Sequence, residues 1–131
     1  MSNINWFKTY KICILEFAQA FPGQGAVSNF STGNGFGVYK GVLTALQIPF
    51  EIVHPKKWQK VYSIAKKTKE QSYAIASQLF PLVNFLGKKG AIKDGRSDAI
   101  LMAEYGRRQL TTFNNDNVER ILWKFKNLLT N

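Results

Sequence analysis

Several things are scarce in this 131-residue sequence, and each scarcity narrows what the chain can do. Its single cysteine, Cys13, excludes a disulfide framework or a cysteine zinc cluster within the chain. Set inside an apolar run, that thiol reads as buried and structural. Its single histidine, His54, has no second histidine or cysteine nearby, which argues against a metal role and for a turn or nucleic-acid-facing position. No long apolar run occurs: "MSNINWFKTYK" lacks the core of a signal peptide, and no segment approaches a membrane span. The expectation is an intracellular, cytoplasmic protein without membrane contact. Neither G-x-G-x-x-G nor G-x-x-x-x-G-K-[ST] is present, so the glycines do not form a nucleotide loop. Acids are scarce too, eight against eighteen Lys and Arg, which leaves a formal charge of +10.

A hydrophobic fraction of 45% is too high for a disordered chain. The length suits one domain, 1–131, with a core that needs no disulfides. The positive charge is concentrated: ten of the eighteen bases lie between Lys56 and Arg96, where the only acids are Glu70 and Asp94. That excess points to a polyanion, nucleic acid first, against the alternative of a merely solubilising surface.

The apolar pattern predicts an α/β order. "KICILEF", 11–17, reads as a strand covered on both faces, with Glu16 at its carboxyl end. A Gly/Ser/Asn-rich loop is expected over 18–34, then a helix over about 32–47 stopped by Pro49. On that helix Gly33, Gly37, Gly41 and Ala45 form a stripe of nearly bare backbone, which implies close packing against the sheet or another subunit. "PFEIVHP", 49–55, is a second strand. Trp58, Val61, Tyr62 and Ala65 come next at helical spacing, with lysines between them. A helix over 68–80 has Tyr73, Ile75, Ala76, Leu79 and Phe80 as its apolar side, and 84–93 is a basic turn. Another helix begins near Asp94. The last, about 117–129 within a C-terminal amphipathic segment 115–131, has Val118, Ile121, Leu122, Phe125, Leu128 and Leu129 on one stripe.

Three carboxylates stand out. Glu16 ends a strand, the place where open α/β sheets keep their ligands, although a merely wet strand end is the plainer alternative. Asp94 and Asp98 are four residues apart and share a helix face with Leu101, Met102 and Tyr105. Asp94 also suits a helix N-cap; Asp98 has no such explanation. Two carboxylates at that spacing repel unless a cation lies between them. With Glu16 they make an oxygen-only set suited to Mg²⁺ or Mn²⁺, and phosphodiester hydrolysis is chemistry that uses such a set.

Two stretches, "ICILEFAQAFPGQGAVSNFSTGNGFGVYKGVLTALQIPFEIVHPKKWQK" and "KKGAIKDGRSDAILMAEYGRR", resemble the RuvC-type Holliday-junction resolvases of phages and related mobile elements, within the RNase H-like superfamily. The shared features, in order, are an apolar strand ending in Glu, a P-G-Q-G turn, a glycine-bearing helix, a "V-x-P-x-x-W-K"-like segment and a "D-x-G-R-x-[DE]-A" helix start. The resemblance covers residues 11 to about 108. It implies metal carboxylates at Glu16, Asp94 and Asp98, and a basic residue near the scissile phosphate at Lys57 or Lys60. It implies phosphate contacts from Lys56, Lys57, Lys60, Lys66, Lys67, Lys69, Lys88, Lys89, Lys93 and Arg96. Phe21, Gln24 and Phe30, in the loop after Glu16, would contact DNA at the crossover, against the alternative of ordinary core or surface side chains. A homodimer would present two sites to a four-way junction.

One departure tempers these implications. The family's first carboxylate is an Asp in an "I-D-P-G"-like strand that opens a three-strand meander, whereas here ten residues without an acid precede the first strand. The expectation is an N-terminally truncated RNase H-like fold, a small mixed sheet of two or three strands flanked by helices, with an exposed strand edge prone to pairing. A further polypeptide could supply the missing strands. The competing readings are an active endonuclease, a catalytically incomplete DNA-binding remnant or fragment, and a basic protein-interaction domain unrelated to DNA.

Overall fold

The computed structural model describes residues 12–64, 68–112 and 116–130. Within these, β1 (Cys13–Glu16) leads to the long helix α1 (Ala26–Ala45), β2 (Phe50–Val53), α2 (Pro55–Val61), α3 (Lys69–Leu79), a 3₁₀ turn at Lys88–Gly90, α4 (Asp94–Thr112) and α5 (Asp116–Thr130). The described architecture is mixed α/β and mostly helical. Its sheet has two strands, and they are parallel, with Cys13 opposite Phe50, Ile14 opposite Glu51, Leu15 opposite Ile52 and Glu16 opposite Val53. The expected mixed sheet is thus corrected to a parallel pair among the described residues. The reason is topological: α1 carries the chain back before β2 begins, so β2 runs in the same direction as β1.

Alternation along the strands puts Ile14, Glu16, Glu51 and Val53 on one face of the pair. That face is covered by α4. Gly106 of α4 lies so close to Ile14 that a Cβ there would fall 2.5 Å from Ile14 Cγ1, so only glycine permits this approach. The core forms around α4: Leu101, Met102 and Tyr105 pack with Val53, Trp58, Ile64, Ala76 and Phe85, all buried. The inward face expected for Leu101, Met102 and Tyr105 is therefore observed.

Local chemistry explains the helix boundaries. Pro55 occupies the first turn of α2, where its missing N–H costs nothing. Thr68 and Gln71 form a reciprocal capping box at the start of α3. Past the end of α1, Gln47 takes a left-handed conformation (φ 54°) that closes the helix.

Three sequence expectations need correction. The loop expected over 18–34 is shorter, because α1 already begins at Ala26. Asn29, in its first turns, ties the preceding turn down: its Nδ2 donates to the Gln24 carbonyl (3.2 Å) and its Oδ1 accepts from the Phe21 N–H (3.4 Å). The glycine stripe of α1 does not pack against the sheet: among the described residues a Cβ at Gly33, Gly37 or Gly41 would meet nothing within 4 Å, and α1 buries no residue. On α3, Ala76 is buried and Tyr73, Ile75 and Phe80 pack against the core as expected, while Leu79 is exposed and Ser72 is buried in its stead. The C-terminal stripe holds its place through Ile121, which is buried, whereas Leu128 and Leu129 are exposed. Val118 and Phe125 have side chains outside the described set, as do Lys66, Lys67 and Ala65 entirely. Among the described residues, no helix is long and apolar enough to cross a membrane.

Candidate functional site

The two strands end side by side, and the segments leaving their carboxyl ends converge. Hydrogen bonding continues one step past β1, where the Phe17 N–H donates to the Val53 carbonyl (2.9 Å). β2 passes through His54 directly into α2. The first turn of α2 therefore starts beside Glu16, and this places Trp58 under the strand end. The Trp58 indole N–H donates to Glu16 Oε2 at 2.7 Å. Trp58 is fully buried and Glu16 half-buried, so the bond is shielded from competing water and fixes one carboxylate oxygen. Next to it, the Phe17 ring stacks on His54 and meets Phe36 of α1 edge-on, both at 6.0 Å between centroids. A shallow groove of about 300 Å³ opens between this strand end and α1, with Leu15, Glu16, Phe36 and Tyr39 in its lining.

The second acidic element is the start of α4. Asp98 is half-buried there, with its Oδ1 shielded from solvent, next to the buried Ser97. The Asp94 side chain lies outside the described set. Among the described residues, no three His, Cys, Asp or Glu side chains converge into a metal-ligand group. Glu16 is thus brought to Trp58, not into a described trio of acids. Its donor chemistry still fits a hard divalent cation, since Mg²⁺ is commonly held by one or two carboxylates together with substrate phosphate.

The basic residues are spread over several elements, all exposed: Lys56, Lys57 and Lys60 on α2, Lys69 opening α3, Lys88 and Lys89 in the 3₁₀ turn, Lys93 and Arg96 at the start of α4. Lys57 also lines a cavity of about 50 Å³ with Ile14, Tyr105, Gly106 and Arg120. The stem of Lys93 lies over Gly87, whose missing side chain makes room for it. Phe21 and Phe30 are exposed, Phe21 in the turn after β1 and Phe30 on α1 itself rather than in a loop. Gln24 donates to the Ser28 hydroxyl (2.7 Å), so its side chain braces the start of α1.

Sequence reading missed one charged cluster. Glu104 accepts from Arg107 (2.7 and 2.8 Å) and from Arg108 (3.0 Å). Hydrogen bonding from Arg107, then from Arg108, holds the Glu104 carboxyl down at about 2. Arg108 also lies over the Tyr62 ring, 5.3 Å from its centroid, while the Tyr62 hydroxyl donates to the Leu101 carbonyl (2.8 Å). Burial, the largest influence, pushes the Tyr62 hydroxyl above its usual value. The signal was available in "EYGRR", where one acid precedes two arginines by three and four residues. The role of Trp58 had no such signal, since 42 residues separate it from Glu16. No protein-family model matches the chain, and no curated protein sequence matches it.

Proposed function

We propose that this chain is a structure-specific DNA endonuclease of the RuvC type, with an RNase H-like fold, that acts on four-way junctions by metal-dependent phosphodiester hydrolysis. The observation that carries the reading is Glu16: a carboxylate at the carboxyl end of a parallel strand pair, held by the indole of a buried tryptophan. A solvated surface acid has no use for such a bond. The charge of +10 and the ordered motifs shared with the resolvases support the same reading.

In this proposal Glu16 and Asp98, with Asp94, hold Mg²⁺ or Mn²⁺. That ion, when bound, supplies an activated water and neutralises charge on the phosphate. Trp58 fixes the orientation of the Glu16 carboxylate. Lys56, Lys57, Lys60, Lys69, Lys88, Lys89, Lys93 and Arg96 take backbone phosphates, which positions DNA without reading its sequence. Phe21 and Phe30 offer exposed rings to bases at the crossover. A pair of chains would address the two opposed strands of a junction.

The test is incubation with a labelled four-way junction in Mg²⁺ or Mn²⁺, with a gel shift in Ca²⁺ alongside. Paired nicks near the crossover that vanish in Glu16→Gln are the expected result. Binding without nicks would assign the chain to the DNA-binding remnants, and the absence of both would overturn the junction reading.

A further inference from the structure

Helix α5 turns a tryptophan away from the molecule. Ile121 is buried and lines cavities with Glu51 of β2 and Tyr105 of α4, and Arg120 is tied to Glu51 at 3.5 Å. These two anchors set the rotation of the helix about its axis. Two residues along an α-helix are about 200° around it, so Trp123 stands on the side opposite Ile121, where it is 65% exposed. Trp58, by contrast, is fully buried and spends its indole N–H on Glu16. Lys126 and Asn127 follow Trp123 by one turn on the same side, Glu119 precedes it by one turn, and Lys124 is its direct neighbour. Glu119, Lys124 and Lys126 are all exposed.

The surroundings of the ring select its ligand. A helix that lies on a membrane gives its apolar stripe to the lipid and its charges to water; in α5 the buried side is that of Ile121, and Trp123 shares the side of the lysines. An acidic side chain would meet the lysines and leave the indole face wet. A nucleotide satisfies both at once, its base on the ring and its phosphates on the cations. Paired bases are stacked on one another and offer only their edges in the grooves, so the base must come from a single strand or an unpaired stretch. The net charge of +10 favours such a polyanion over the whole molecule. Helix α5 also lies beyond residue 108, where the likeness to the resolvases ends.

We propose that the outer face of α5 is a docking site for an unpaired nucleotide of single-stranded DNA: the base stacks on the Trp123 indole, and the flanking phosphates take Lys124 and Lys126. The stack does not read sequence, because every base has a π face. The site rests on the nucleic-acid partner of the proposed function and not on its metal-dependent cleavage.

The test is a titration of the full chain with a short labelled oligothymidylate, read by anisotropy, beside a labelled four-way junction. Tryptophan emission is followed in a Trp6→Phe background, where only Trp58 and Trp123 emit. Stacking should quench that emission, and adding Trp123→Phe should remove the quenching. Trp123→Ala should weaken oligothymidylate binding by roughly fivefold or more. The ring is exposed and alanine favours a helix, so this variant keeps its circular dichroism. Unchanged oligothymidylate affinity in Trp123→Ala, with junction binding intact, would overturn the α5 site and leave the junction reading standing. So would an equal affinity for polyglutamate, since the face would then act by charge alone. An oligothymidylate complex that needs Trp123, in a chain that never nicks junctions, would uphold the site and remove the nuclease reading. Failure to bind either DNA would overturn both.

Discussion

At the scale of single residues, two contacts decide the most. The 2.7 Å bond from Trp58 to Glu16 joins a buried donor to a half-buried acceptor. Trp58→Phe keeps an aromatic ring in the core but removes the N–H, leaving the carboxylate without this donor. It should lower stability by about 1–3 kcal/mol in urea unfolding, and should abolish junction cleavage in any wild-type chain that cleaves, while leaving binding in Ca²⁺ intact. An unchanged unfolding midpoint would show that the bond contributes nothing. Gly106 is the second case. A Cβ at this position would fall 2.5 Å from Ile14 Cγ1, so Gly106→Ala must displace the Ile14 side chain or push β1 and α4 apart, at a cost of about 1–3 kcal/mol. Helix propensity alone predicts the opposite sign. The thermal midpoint of this variant therefore reports whether contact with β1 or helix preference dominates.

At the scale of elements, α3 and α4 pair extensively, and α3 buries a polar side chain. The Ser72 hydroxyl is fully buried without a hydrogen-bond partner among the described residues. Ser72→Ala should raise the unfolding free energy by about 1 kcal/mol, because it removes an unmet hydroxyl and improves helix propensity together. Destabilisation would mean that the hydroxyl has a partner in solution. On the outer side of α4, Glu104 binds Arg107 and Arg108. Its carboxyl is held at about 2, below the usual value of 4.5, so the charged form is favoured by folding. That contribution is complete above pH 4.5 and is lost as the pH falls through 2. Glu104→Gln should accordingly lower the urea midpoint at pH 7, and the difference from wild type should shrink as the pH approaches 2.

At the scale of the whole molecule, charge is distributed unevenly: the exposed lysines of α2, α3 and the 3₁₀ turn contrast with a nearly chargeless α1. If the lysines carry DNA on its phosphates, junction affinity should fall steeply with salt, on the order of a thousandfold between about 50 and 200 mM. A shallow slope in a binding titration would mean that few phosphates are engaged.

The order of elements was legible in the sequence alone, because periodicity and breakers are local. The apolar run before Glu16, the prolines flanking β2 and the apolar spacing over 68–80 each act within a few residues. The inward face of α4 could be read from Leu101, Met102 and Tyr105 for the same reason. Composition likewise determined the basic character and the concentration of lysines after Lys56. What only the tertiary structure decided are relations between distant residues: that β1 and β2 pair in parallel, that Trp58 reaches Glu16, that Ile14 needs a glycine at 106, and that the glycine stripe of α1 faces outward rather than into the core. Such contacts depend on how helices and strands approach in space, and no short stretch of sequence encodes that distance.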